Sequence, residues 1–160
     1  MKKKLLVMLA GLMTMSAAVC CAAVSSEHIA LADVAPGSSV TAAKQKLGTP
    51  SQRGDKLFFP NGMVIETADH NPDMIEEITT RSAGATPAGI QVGMNESSLT
   101  QAYGNPDKID RDKDDTEYTY YSTDNAKKME FKVVNGKIVK SERTPAYRGG
   151  SFLLPREQHH

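Results

Sequence analysis

Beyond Cys21 the chain contains no cysteine. Its two thiols, Cys20 and Cys21, close an N-terminal apolar stretch, so a disulfide framework in the body of the chain is excluded. Also lacking is an apolar run of the roughly twenty residues that a membrane span needs. Leu5 to Val19 comes nearest; it follows Lys2, Lys3 and Lys4 and precedes the small residues Cys20 to Ala23. That is the layout of a secretory signal, expected over residues 1–23. Neither cysteine has the leucine three places upstream that a lipidation signal would supply. Cleavage after Ala22 or Ala23 would discard both thiols and leave a free protein, whereas a lipid anchor at Cys20 or Cys21 would tether it. The expected location is exported, periplasmic or secreted, with the membrane-tethered lipoprotein as the variant.

An excess of charge of one sign is missing too. The whole chain carries 19 basic and 19 acidic residues, and without residues 1–23 the balance is 16 against 19, a net −3. With no long basic run, nucleic acid and anionic membrane are not expected partners. About 135 residues remain, enough for one compact domain or for two halves of about fifty-five residues that can each barely bury a core alone.

Catalytic groupings are equally scarce. His28 lies near the start of the exported part, His70 stands beside Asp69 in a hairpin loop, and His159 and His160 are terminal. No serine, histidine and acid fall at a spacing that would activate a nucleophile. Asp69-His70 could be an acid–base couple, but a solvated loop tip accounts for it more simply. The run Asp110, Asp112, Asp114 resembles the opening of a calcium loop, but Asp115 stands where that loop needs glycine and Tyr121 where it needs a bidentate acid. No metal, no cofactor and no enzymatic activity are expected.

What the chain does have is an internal repeat. Ile90–Pro106 (IQVGMNESSLTQAYGNP) and Val34–Pro50 (VAPGSSVTAAKQKLGTP) align without a gap at an offset of 56 residues. Gly37 meets Gly93, Gln45 meets Gln101, Gly48 meets Gly104 and Pro50 meets Pro106, so three of the four identities are residues that set backbone geometry. Each copy reads as a short helix. Ser39 caps the first, with Ala43 and Leu47 on its apolar face, and Gly48 and Pro50 stop it. Asn95 caps the second, Met94 and Leu99 form a hydrophobic staple, and Leu99 and Tyr103 make the buried stripe. Helices of this length are marginal in water and need a surface to pack on.

Strands supply that surface. Asp55–Phe59, Met63–Ala68 and Met74–Arg81 follow the first helix; Thr116–Ser122, Lys128–Val134 and Lys137–Arg143 follow the second, with a hairpin turn at Asn135-Gly136. Upstream, Val24–Ala35 is a lead-in of a turn or two with Ile29, Leu31 and Val34 facing inward. The small residues Ser82–Gly89 between the copies read as a flexible linker. The expected fold class is therefore α+β: two tandem repeats, each one or two short helices packed on a three-stranded antiparallel sheet. Residues 24–82 form the first repeat, 83–89 the linker, 90–144 the second repeat and 145–160 a C-terminal tail. In that tail Phe152-Leu153-Leu154 either docks back or stays free.

The candidate site is aromatic. Tyr118 and Tyr120 share one face of a strand and Tyr121 takes the other, so whichever face of the sheet is open shows tyrosine, a residue suited to protein binding. Phe58 holds the corresponding place in the first repeat. Packing under the helix is the competing account of Tyr118 and Tyr120.

VGMNESSLTQAYGNPD followed by three strands and an NGKIV hairpin resembles the small outer-membrane assembly lipoproteins of the BamE (SmpA/OmlA) type. Gly93, Met94, Leu99, Gly104 and Pro106 carry that pattern, with Tyr103 where leucine is usual. Two such units in tandem are similar to the β-lactamase inhibitor protein architecture. The resemblance implies a non-catalytic protein-binding module of the bacterial envelope, serving envelope or outer-membrane maintenance, or alternatively a periplasmic or secreted enzyme inhibitor with a concave sheet. A small-ligand carrier or hydrolase using Asp69-His70 would instead require a cleft joining the two copies.

Overall fold

The computed structural model describes residues 24–146. The expected signal segment with Cys20 and Cys21, and the tail from residue 147 on, lie outside them. A 3-10 turn, Ser26–His28, leads to helix α1, Val40–Leu47. Strands β1 (Ser51–Arg53), β2 (Lys56–Phe58), β3 (Met63–Ala68) and β4 (Asn71–Thr80) follow. Helix α2, Ser97–Tyr103, then precedes β5 (Lys108–Arg111), β6 (Thr116–Tyr121), β7 (Lys127–Val134) and β8 (Lys137–Pro145).

Two three-stranded units in an α+β arrangement do not form. Among the described residues all eight strands join one antiparallel sheet in the order β1-β2-β3-β4-β8-β7-β6-β5, and only two short α-helices accompany it. Two physical facts account for the difference. First, β1 and β5 are the outermost strands and every residue in them is exposed, so neither carries the alternating apolar signal by which a strand is read. Second, the last strand of each half carries no charge on the helix side at its joining edge except Arg143, and the two edges pair. Ile78 lies opposite Arg143, Thr79 opposite Glu142 and Thr80 opposite Ser141.

Both helices cover the same face. Val40 and Ala43 of α1 pack with Leu57, Ile65 and Ile78, while Leu99 and Tyr103 of α2 pack with Tyr118, Tyr120 and Phe131. Ile78 and Arg143 are cross-strand neighbours, so these two sets of side chains lie on one side of one sheet. Tyr103, Tyr120 and Phe131 form an aromatic trio with ring centroids 5.4–6.3 Å apart. The lead-in straddles the halves: Leu31 and Val34 enter the core under α1, and Val24 and Ile29 enter the core under α2.

The glycines of the repeated stretch have a definite task. Gly37 (φ +84°) donates its N–H to the Ile75 carbonyl at 2.7 Å, and Ile75 donates back to the Ser38 carbonyl. Gly93 (φ +94°) does the same with Ile138, which donates to the Met94 carbonyl. Each stretch is thereby stitched to the last strand of its own half before its helix begins. Ser39 caps α1, its side chain accepting from the Ala42 N–H. Asn95 does not cap α2. It is drawn into a bridge with Lys137, the helix starts at Ser97, and Met94 stays exposed instead of stapling. Residues 82–89 are not a free linker either. Ala32 donates to the Ala85 carbonyl, Thr86 donates to the Ile90 carbonyl, and the buried Thr86 hydroxyl accepts from Tyr103 Oη. At Asn135-Gly136 both φ angles are positive, as a two-residue hairpin turn requires.

Candidate interface on the open sheet face

Strand alternation sends every second side chain to the side away from the helices. On that side one row of cross-strand partners runs through all eight strands. Its first half is Ser51, Phe58, Val64 and Thr79. Across the β4–β8 joint it continues as Glu142, Glu130, Thr119 and Lys108. Two shorter rows flank it on opposite sides: Arg53, Lys56, Glu66 and Glu77 on the first half, and Lys140, Lys132, Glu117 and Asp110 on the second. No helix among the described residues covers these rows.

The charges of this face are pre-paired. Lys56 bonds Glu66, Lys140 bonds Glu142, Lys128 bonds Glu130 at 2.8 Å, and Lys132 bonds Asp115 at 2.8 Å. Side chains of Glu130 and Glu142 are only 16% exposed, so these pairs are partly withdrawn from water. Burial pushes the Glu77 carboxyl up; Glu142 and Glu66 add to that, and the Thr79 hydroxyl bonded to it at 2.8 Å works against it. Burial likewise pushes Glu117 up, with Glu130 and Glu142 contributing. Glutamate lies directly opposite glutamate twice, at Glu66–Glu77 and Glu130–Glu142, an arrangement that disfavours the isolated sheet.

Of the aromatic candidates, Tyr121 and Phe58 lie on this face and Tyr118 and Tyr120 do not. Tyr118 is 5% and Tyr120 1% exposed beneath α2, where Tyr118 Oη bonds the Glu96 carboxylate and Tyr120 Oη bonds the Gly104 carbonyl at 3.2 Å. Two tyrosines at i and i+2 follow the buried pleat, and the helix dictates which pleat is buried. Tyr121 is half-buried, and its N–H donates to Asp107. Phe58 is 36% exposed, with the Arg53 guanidinium 5.7 Å from its ring. The charged rows went unread in the sequence. Their trace is the alternation of Lys128, Glu130 and Lys132 with Met129, Phe131 and Val133, but only the register shows which charges meet.

Two other candidates have definite places. His70 borders a hollow of about 220 Å³ lined also by Met74, Ile75, Ala126 and Pro145, and Asp69 does not line it. The hollow joins the two halves but is largely apolar. In the aspartate run, Asp110 is held by Lys108 and Asp115 by Lys132; among the described residues no group of three or more histidines, cysteines or acids could hold a metal ion. No described helix is long and apolar enough to cross a membrane.

No family model and no curated protein matches the chain. Among solved structures it is similar to a DUF4309 family protein (YjgB) of Bacillus subtilis, with 12% identity, a TM-score of 0.50, and coverage of 70% of this chain and 81% of that one. A cysteine-rich secretory protein of Staphylococcus aureus also aligns, with 8% identity and a TM-score of 0.48, over 76% of this chain and 48% of its own length. The first likeness is one of fold alone.

Proposed function

We propose that this is an exported, non-catalytic binding protein of the bacterial envelope whose open sheet face engages a protein partner. The observation that carries the reading is the row from Ser51 to Lys108, which crosses eight strands and which no helix among the described residues covers. A face of that breadth, with charges already oriented by their neighbours, loses little side-chain freedom on docking. Glu77, pushed up by burial and by the neighbouring Glu142 and Glu66, would be relieved by a partner that brings a cation. Export rests on the layout of residues 1–23, and the BamE-like and inhibitor-like resemblances point to the same class of activity.

The test is site-specific photo-cross-linking in the native host from Phe58, Lys140 and Tyr121, with Lys44 on the exposed side of α1 as the control. One adduct of constant mass from the three sheet positions, absent from Lys44, is the expected result. Equal labelling from all four positions would rule the face out. A second reading, a carrier of a small apolar ligand, is favoured by the hollow beside His70. It predicts that Met74→Lys abolishes uptake of a solvatochromic apolar dye and leaves the cross-links unchanged.

A further inference from the structure

The sheet ends at β5, whose outer edge has no strand beside it among the described residues. Its four residues, Lys108-Ile109-Asp110-Arg111, are all exposed, and Ile109, at 38%, is one of three large apolar side chains left in water among the described residues. Lys108 and Asp110 stand on the open face, their charged groups 2.5 Å apart, while Ile109 lies opposite Tyr118 on the helix side. An exposed edge is ordinarily defended by charge. This one is self-complementary.

Placed antiparallel to a copy of itself with Ile109 opposite Ile109, the edge sets Lys108 against the copy's Asp110 and Asp110 against its Lys108. Asp107 then faces the copy's Arg111, twice by symmetry. A slip of one residue would set backbone groups that face the free edge against groups that face β6, so a two-fold pair cannot adopt it. The neighbouring registers lie two residues away and set Lys108 against Lys108 or Asp110 against Asp110 at the axis. Within β5, like charges meet in both of those registers and unlike charges in the one centred on Ile109. The opposite edge, Ser51-Gln52-Arg53, has no such pattern.

We infer that β5 is a self-pairing edge through which two copies of this chain join antiparallel about a two-fold axis at Ile109. Opposed residues of antiparallel strands share a face, so the axis stands perpendicular to the sheet. Both open faces then lie on one side, as a continuous sixteen-stranded surface, and both pairs of helices lie on the other. Ile109 of each copy covers the other.

The experiment is sedimentation of the purified protein over a range of concentration and salt. A dimer that forms with concentration and weakens as salt screens the four opposed charge pairs is expected. Lys108→Asp and Asp110→Lys each set two like pairs across the axis and should raise the dissociation constant about tenfold or more. Both sites are exposed, so an unchanged melting temperature checks that each variant is folded. The double variant Lys108→Asp/Asp110→Lys restores the dimer. Mixing the two single variants yields a heterodimer, because every opposed pair is again of unlike sign. A protein that stays monomeric at all concentrations, a dimer indifferent to both reversals, or a mixture that fails to associate would each overturn the proposal.

Discussion

Arg143 is fully buried on the helix side of β8, at the joint between the halves. Its guanidinium lies 4.7 Å from the centre of the Phe131 ring and donates Nη1–H to the Glu142 carbonyl at 2.6 Å, while Nε and Nη2 have no hydrogen-bond partner among the described residues. Burial pushes its pKa down to about 10, with the neighbouring Tyr103 and Glu142 offsetting part of the cost. A buried charge without a counter-ion is costly, and an apolar chain of similar length avoids that cost. Arg143→Met is therefore expected to match or exceed the parent, by up to about 4 kcal/mol in urea unfolding. Arg143→Ala, which leaves a cavity beside Phe131, should lose about 2–5 kcal/mol. The sequence shows Arg143 only as the polar end of an alternating strand. Nothing local says that its neighbour is a strand from the other half.

At the scale of the element, α1 is tied down by a residue far from it in sequence. Asp73 in β4 accepts from Ser39 Oγ at 2.9 Å, from the Thr41 N–H at 2.9 Å and from Thr41 Oγ1 at 2.8 Å. These bonds, Thr41 first and Ser39 next, hold its carboxyl below the usual carboxylate range. A carboxylate with a lowered folded pKa contributes stability that is present above its unfolded value and fades as the pH falls through the folded one. Hydrogen exchange at the Thr41 amide should accordingly speed up as the pH drops below 4, after correction for intrinsic rates. Asp73→Asn should show the faster exchange already at neutral pH. Equal protection in parent and variant would mean that Ser39 alone anchors the helix. The Ser39 cap was legible because a cap is a local pattern; the carboxylate that completes it arrives by strand pairing and leaves no local trace.

At the scale of the molecule, the lead-in decides cooperativity. Ile29 packs in the core under α2, two residues before Leu31 packs in the core under α1, and β4 and β8 share the joint. The halves therefore share both a sheet and a strap. Ile29→Ala should cost about 2–5 kcal/mol, with circular dichroism and tyrosine fluorescence still tracing one coincident transition. Separate midpoints by the two probes would show that the halves unfold independently.

Local chemistry determined much of this protein. Gly and Pro at fixed offsets placed the two helix stops, alternation placed the six inner strands, and Asn135-Gly136 placed the hairpin, since each depends on residues adjacent in the chain. Inward-facing Ile29, Leu31 and Val34 were legible for the same reason. Tertiary structure decided the rest. It recruited the polar strands β1 and β5, joined β4 to β8 in one sheet and buried Tyr118 and Tyr120 under α2. These depend on which strand edges meet, and hydrogen bonds between backbones carry no side-chain signature. The charged face is written in alternate residues of eight strands, and only their register makes it a surface.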